Sequence, residues 1–247
     1  MRASVRRWYA DPKVAEAVFA VITDGAPSAP WPDDAFARMA GHFVGFAHNE
    51  EQLAADEPLA RRRAAATDAP PTGPARVVRR SYDGARAVQW GPGVCAYNVY
   101  PPYGHYEDHV PTFERLIETF LAEEQPYNIG GAEQRYVNEI WLARSEHPRD
   151  LFAFYPPIGA DLEARHVPLR VEVETANADG VALTVSLARG GDGDGVLYVL
   201  EVAARATRGL PPDVPAVIEW HNRAHQAVNA AFERAITDEM RQRLRQV

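Results

Sequence analysis

The sequence predicts an α+β protein: a largely antiparallel sheet, or sheets, covered by a few long helices, with two similar lobes as one arrangement its pattern allows. Three observations carry this. Strand-like segments come in pairs around turn residues, as at Asp83-Gly84 and in the run GGDGDG at 190–195. Helical periodicity is confined to a few long stretches, clearest at 111–124 and from about 215 to 245. Strands and helices do not alternate in the manner of a doubly wound parallel sheet.

In chain order, AEAVFAVI at 15–22 reads as a strand ended by Asp24-Gly25. Trp31-Pro32-Asp33-Asp34 opens a helix, since proline suits the first turn and acids there complement the dipole. Phe36, Met39, Ala40, Phe43 and Ala47 fall at helical spacing as its buried side. Residues 50–75 lose all periodicity and contain RRRAAATDAPPTGPA, so they read as an exposed loop. Residues 76–90 hold two strands around Asp83-Gly84, and 94–100 a third, with Cys95, Tyr97 and Val99 on one side and Ala96, Asn98 and Tyr100 on the other.

The helix at 111–124 presents Phe113, Leu116, Ile117, Phe120 and Leu121 at i, i+3, i+4, i+7 and i+8, with Pro111 in its first turn. Residues 134–142 read as a strand that a right-handed return would lay beside 94–100. Residues 169–176 and 181–189 alternate as an antiparallel pair with one wet face, and 196–207 follows as a third strand. A single long helix then closes the chain, with Ile218, His221, His225, Val228, Phe232 and Ile236 on one stripe. The organisation expected is an N-terminal lobe over 1–150 and a C-terminal β-meander with its helix over 151–247, packed as one unit.

Composition narrows the function. The chain has 247 residues and a net charge of −8, which opposes non-specific binding to nucleic acid or an anionic membrane. Lys13 is the single lysine, in a segment without a glycine-rich loop, which argues against a Schiff-base or phosphate-loop lysine. Cys95 stands alone and excludes an intramolecular disulfide or a multi-cysteine metal site. The start, MRASVRRWYADPK, is basic but leads into no apolar h-region, and no run approaches the length of a membrane span, so the expected location is the cytoplasm.

Four segments carry a resemblance: DPKVAEAVF, VQWGPGVCAYNVYPPYGHYEDHVPTFERLI, RYVNEIWL and HQAVNAAFERAIT. Their order and spacing resemble a sporadically distributed bacterial family that carries no functional name. The family's pattern would fall here on Tyr106-Glu107, on Arg135-Tyr136-Val137-Asn138, and on His225 with Phe232, Ile236 and Thr237. Tyr106 stands where tryptophan is commoner. The resemblance implies a shared fold and brings no activity with it.

Candidate chemistry gathers in two places. Tyr97, Tyr100, Tyr103, His105, Tyr106, Glu107, Asp108 and His109 crowd the approach to the best helix, where backbone N–H groups and the dipole favour an anion. Histidines, carboxylates and phenols there could exchange protons with it, so His105, Tyr106, Glu107, Asp108 and His109 are the candidate catalytic groups. The competing reading is that Asp108 or a neighbour caps the helix while the tyrosines pack. On the strand at 134–142, Arg135 and Glu139 share a face with Val137 and Trp141, and Arg135 needs either a carboxylate partner or an anionic ligand.

The expected substrate-binding set is Tyr97, Tyr100, Tyr103, Arg135, Asn138, Glu139 and His225. His221 and His225 are four apart, yet Asn222 occupies the place of an HExxH glutamate, so no metal is expected. GGDGDG lacks the remaining ligands of a calcium loop and reads as a hairpin turn. No G-x-S-x-G, Rossmann or phosphate-loop fingerprint occurs. The sequence thus points to an enzyme, or enzyme subunit, working without cofactor on a small anionic metabolite by metal-free acid/base chemistry, elimination or group transfer in biosynthesis. The alternative is a non-catalytic accessory or regulatory protein that docks a protein partner or a second copy of itself.

Overall fold

The computed structural model describes residues 9, 12–23, 31, 33–46, 48–53, 76–156, 170–176 and 180–245. Among them the strands are β1 (Val14–Thr23), β2 (His48–Leu53), β3 (Arg76–Arg80), β4 (Arg86–Gly91), β5 (Val94–Val99), β6 (Ile129–Leu142), β7 (Arg170–Ala176), β8 (Val181–Asp192) and β9 (Val196–Ala206). The helices are α1 (Asp33–His42), α2 (Tyr106–Glu124), α3 (Pro148–Leu151), α4 (Val214–Ala235) and α5 (Asp238–Arg243). All nine strands join one antiparallel sheet in the order β2-β3-β4-β5-β1-β6-β9-β8-β7, so the class is α+β.

Side chains alternate across each strand and give the sheet two unlike faces. Phe19, Tyr97 and Tyr136 belong to one continuous hydrophobic cluster, and Met39, Phe113, Leu151, Val228 and Met240 bring all five helices into it. The helices therefore lie on a single side. α2 packs on β5, and α4 lies across β6, β9 and β8. Trp90, Trp220, Phe113 and Phe120 are wholly buried there, each worth about 1.5–3 kcal/mol of transfer free energy. On the reverse face Val18, Ala20 and Ala96 form a small cluster of their own.

Four expectations need correction. The helix expected from Pro111 begins at Tyr106, which places Pro111 inside the helix at the cost of one intrahelical hydrogen bond. Gly104, at φ +68°, swings the chain into an extended His105, and the Asp108 carboxylate accepts the His105 backbone N–H at 3.3 Å. The single closing helix is broken: Ile236 is extended and pairs with Phe152, and Thr237 starts α5 by accepting the Met240 N–H at 3.2 Å. β6 does not lie beside β5; β1 stands between them, antiparallel to both. The supposed loop from residue 50 begins inside β2, while residues 54–75 lie outside the described residues. Among the described residues no helix is long and apolar enough to cross a membrane.

Candidate functional site

The first turn of α2, the middle of α4 and the helix-side face of β6 meet around a cavity of about 1000 Å³. The local rules that bring polar groups there are simple. β6 turns Gln134, Tyr136 and Asn138 toward the helices, all three buried, between hydrophobic neighbours. α4 carries His221, His225 and Asn229 at four-residue spacing, so they climb one face, from a fully buried His221 to an exposed Asn229.

A chain of hydrogen bonds links these groups. The Asn229 amide nitrogen stands 3.0 Å from His225 Nε2, and His225 Nδ1 lies 3.1 Å from the Tyr136 hydroxyl. The Tyr136 oxygen also meets the Tyr103 hydroxyl at 2.8 Å and accepts from Gln134 Nε2 at 2.9 Å. Gln134 Oε1 is 3.3 Å from His221 Nδ1. Tyr106 stacks on the His225 ring, 4.0 Å between centroids and 11° between planes, while its hydroxyl donates to Asn222 Oδ1 at 3.0 Å. Behind them His109 Nε2 bonds the Tyr103 carbonyl, and its Nδ1 lies 3.5 Å from the Tyr97 hydroxyl.

Burial sets the protonation of these groups. It pushes the phenols of Tyr103, Tyr106 and Tyr136 upward, each further raised by the negative charge of Glu107, and all three stay protonated donors. Burial lowers His221 to about 3, the Ala20 backbone offsetting it only in part, so its ring is neutral. Burial also lowers His109, against the opposing bond to the Tyr103 backbone.

Of the expected site residues, Tyr103, His105, Tyr106, Glu107, Asn138 and His225 line the cavity. His105 and Glu107 stand exposed at its rim. Asp108 serves as the helix cap, the competing reading made from sequence. His109 and Tyr97 are buried behind the wall. Tyr100, Arg135 and Glu139 lie on the reverse face of the sheet. There the Arg80 guanidinium lies 5.4 Å from the Tyr100 ring centroid, and Arg135 pairs with Glu16 at 3.6 Å and Glu133 at 3.9 Å. Arg135 therefore does not meet the start of α2; alternation along β6 sends it away while Tyr136 faces the cavity.

His221 and His225 do not converge either, since His221 turns to Phe113 and Trp220 and His225 to Tyr106. Among the described residues no group of three or more His, Cys, Asp or Glu could hold a metal ion. Sequence reasoning missed Gln134, Asn222 and Asn229, and gave Tyr136 no role. A signal for Gln134 and Tyr136 existed, in polar residues recurring on the inward side of a strand that also carries Ile140. Compared with known proteins, the chain matches no family model and no curated protein.

Proposed function

We propose that the cavity binds a small polar metabolite and that His225 exchanges a proton with it through the hydroxyls of Tyr136 and Tyr103, in an acid/base reaction of the elimination or group-transfer kind. One observation supports this above the others. His225 sits at the cavity wall between a stacked Tyr106 and a hydrogen-bonded Tyr136, an imidazole fixed in orientation on two sides. The cavity volume is that of an ordinary metabolite pocket, which runs to about 1000 Å³. Anionic ligands fit this reading through Lys13, Arg234 and Arg241 at the wall, with Arg241 already bonded to Glu233 at 2.9 Å.

The rival reading, a protein docked through the wet sheet face, has less to support it. Charges there are spent on one another, Arg205 with Glu133 at 2.9 Å and Arg135 with Glu16 and Glu133. The same proposal keeps the protein in the cytoplasm and in the bacterial family its segments resemble. It also takes the chain as two similar lobes, β1 with β5-β4-β3 and α2, then β6 with β9-β8-β7 and α4, which moves β6 out of the N-terminal lobe expected over 1–150 and joins the lobes at the β1–β6 pair.

The test is a screen of metabolite-sized acids, amides and alcohols by thermal shift, repeated on His225→Ala. Compounds that stabilise the parent protein and not the variant are expected. Stabilisation that His225→Ala leaves intact for every compound, or none at all, overturns the reading.

A further inference from the structure

We infer that the Tyr103 hydroxyl is the group this cavity presents to its ligand, as the outer end of a one-way hydrogen-bond chain Asn229–His225–Tyr136–Tyr103, and that the ligand atom it receives is an acceptor oxygen of a carboxylate, phosphate or carbonyl. The inference rests on the cavity being a ligand site and goes further by naming the contact and its polarity.

The direction follows from counting protons. An amide nitrogen only donates, so Asn229 Nδ2, 3.0 Å from His225 Nε2, makes that nitrogen the acceptor. A neutral imidazole with Nε2 accepting carries its proton on Nδ1, which therefore donates across 3.1 Å to the Tyr136 oxygen. That oxygen has two lone pairs and one proton. Gln134 Nε2 takes one lone pair at 2.9 Å and His225 the other, so the Tyr136 proton goes to Tyr103, 2.8 Å away. Tyr103 then accepts from Tyr136 and must aim its own O–H elsewhere. Tyr136 is its hydroxyl's sole partner among the described residues, and Tyr103 lines the cavity.

Each link polarises the next, so the last hydroxyl is a stronger donor than a lone phenol, which suits an oxyanion or carbonyl. Gln134 is the positioning residue. Wholly buried and fixed on its other side by His221, it occupies the lone pair that Tyr103 would otherwise use.

Two measurements test this. Histidine-labelled protein, read by nitrogen NMR without any ligand, should show His225 protonated on Nδ1 and bare on Nε2, and Asn229→Ala, which removes the amide donor, should erase that preference. Acetate, inorganic phosphate and methylammonium are then titrated against tyrosine-labelled protein. Acetate or phosphate should move the Tyr103 ring signals, methylammonium should not, and Tyr103→Phe should weaken the anion by about tenfold, the worth of one hydrogen bond to a charged group. Which of the two anions binds separates a carboxylate from a phosphate ligand. A proton on His225 Nε2, anion binding untouched by Tyr103→Phe, binding of neither anion, or a preference for methylammonium overturns the inference. The underlying ligand-site reading fails separately, when the wider screen shows nothing that depends on His225.

Discussion

At the scale of single residues, the buried histidine on α4 has a consequence for pH. His221 is fully buried, with a native value of about 3 against an ordinary 6.5. Between those values the unfolded chain binds a proton that the native ring refuses, so stability falls as pH drops from about 6.5 toward 3 and is unaffected above. His109 shifts the same way through its burial. Thermal melts across pH 4–8 should show that decline. In His221→Leu, Tm at pH 7 should be lower, because Gln134 Oε1 loses its donor, but the acid slope should be shallower. An unchanged slope would mean that His221 is protonated in the native state. Little of this was legible beforehand: the stripe His221, His225, Val228 shows that the ring faces inward, whereas the partner that makes it tolerable there, Gln134, stands far away in sequence. The same gap explains Arg135, whose side of the strand was read correctly but whose neighbours depended on which strand lay beside β6.

Among the elements, what could be read followed local periodicity. The strand at 15–22, the hairpin at Asp83-Gly84 and the alternating pair around residue 180 appear within three residues of the expected bounds. Helix ends were harder, because they depend on caps rather than on apolar spacing. α2 has His105, no standard cap residue, at its N-cap, and Asp108 acts from the third helical position. The break after α4 did leave a mark, Thr237-Asp238-Glu239, a cap followed by first-turn acids, overridden by the run of apolar spacing through Ile236. Thr237 works twice, accepting from Met240 N and donating to the Asp150 carbonyl. Thr237→Ala should therefore cost about 1 kcal/mol or somewhat more, seen as a lower denaturation midpoint with the same slope. A change below the precision of the melt would show that the Ile236–Phe152 pairing alone fixes the junction.

For the molecule as a whole, one sheet and one hydrophobic cluster bind both ends of the chain. The cluster includes Ala17 of β1 and Leu244 just after α5, and β6 hydrogen-bonds to β1 on one side and to β9 on the other. Contacts between distant segments dominate such a sheet, so neither half has a core to itself, and unfolding should be one transition in which secondary-structure and aromatic signals coincide. A proline at the junction tests this. Val137 pairs with Glu16 on β1 and Glu201 on β9, so Val137→Pro removes a ladder donor and drives a ring into a strand with neighbours on both sides. It should abolish the native fold of the entire chain by circular dichroism. Val173→Pro in β7 is the control, since among the described residues β7 ends the sheet and pairs only with β8, and Val173 is 45% exposed. That variant should keep the aromatic signal and melt a few degrees lower. If Val137→Pro instead leaves a cooperative transition of roughly half the amplitude, the halves fold independently, and the β1–β6 seam is an interface between two domains rather than the middle of one.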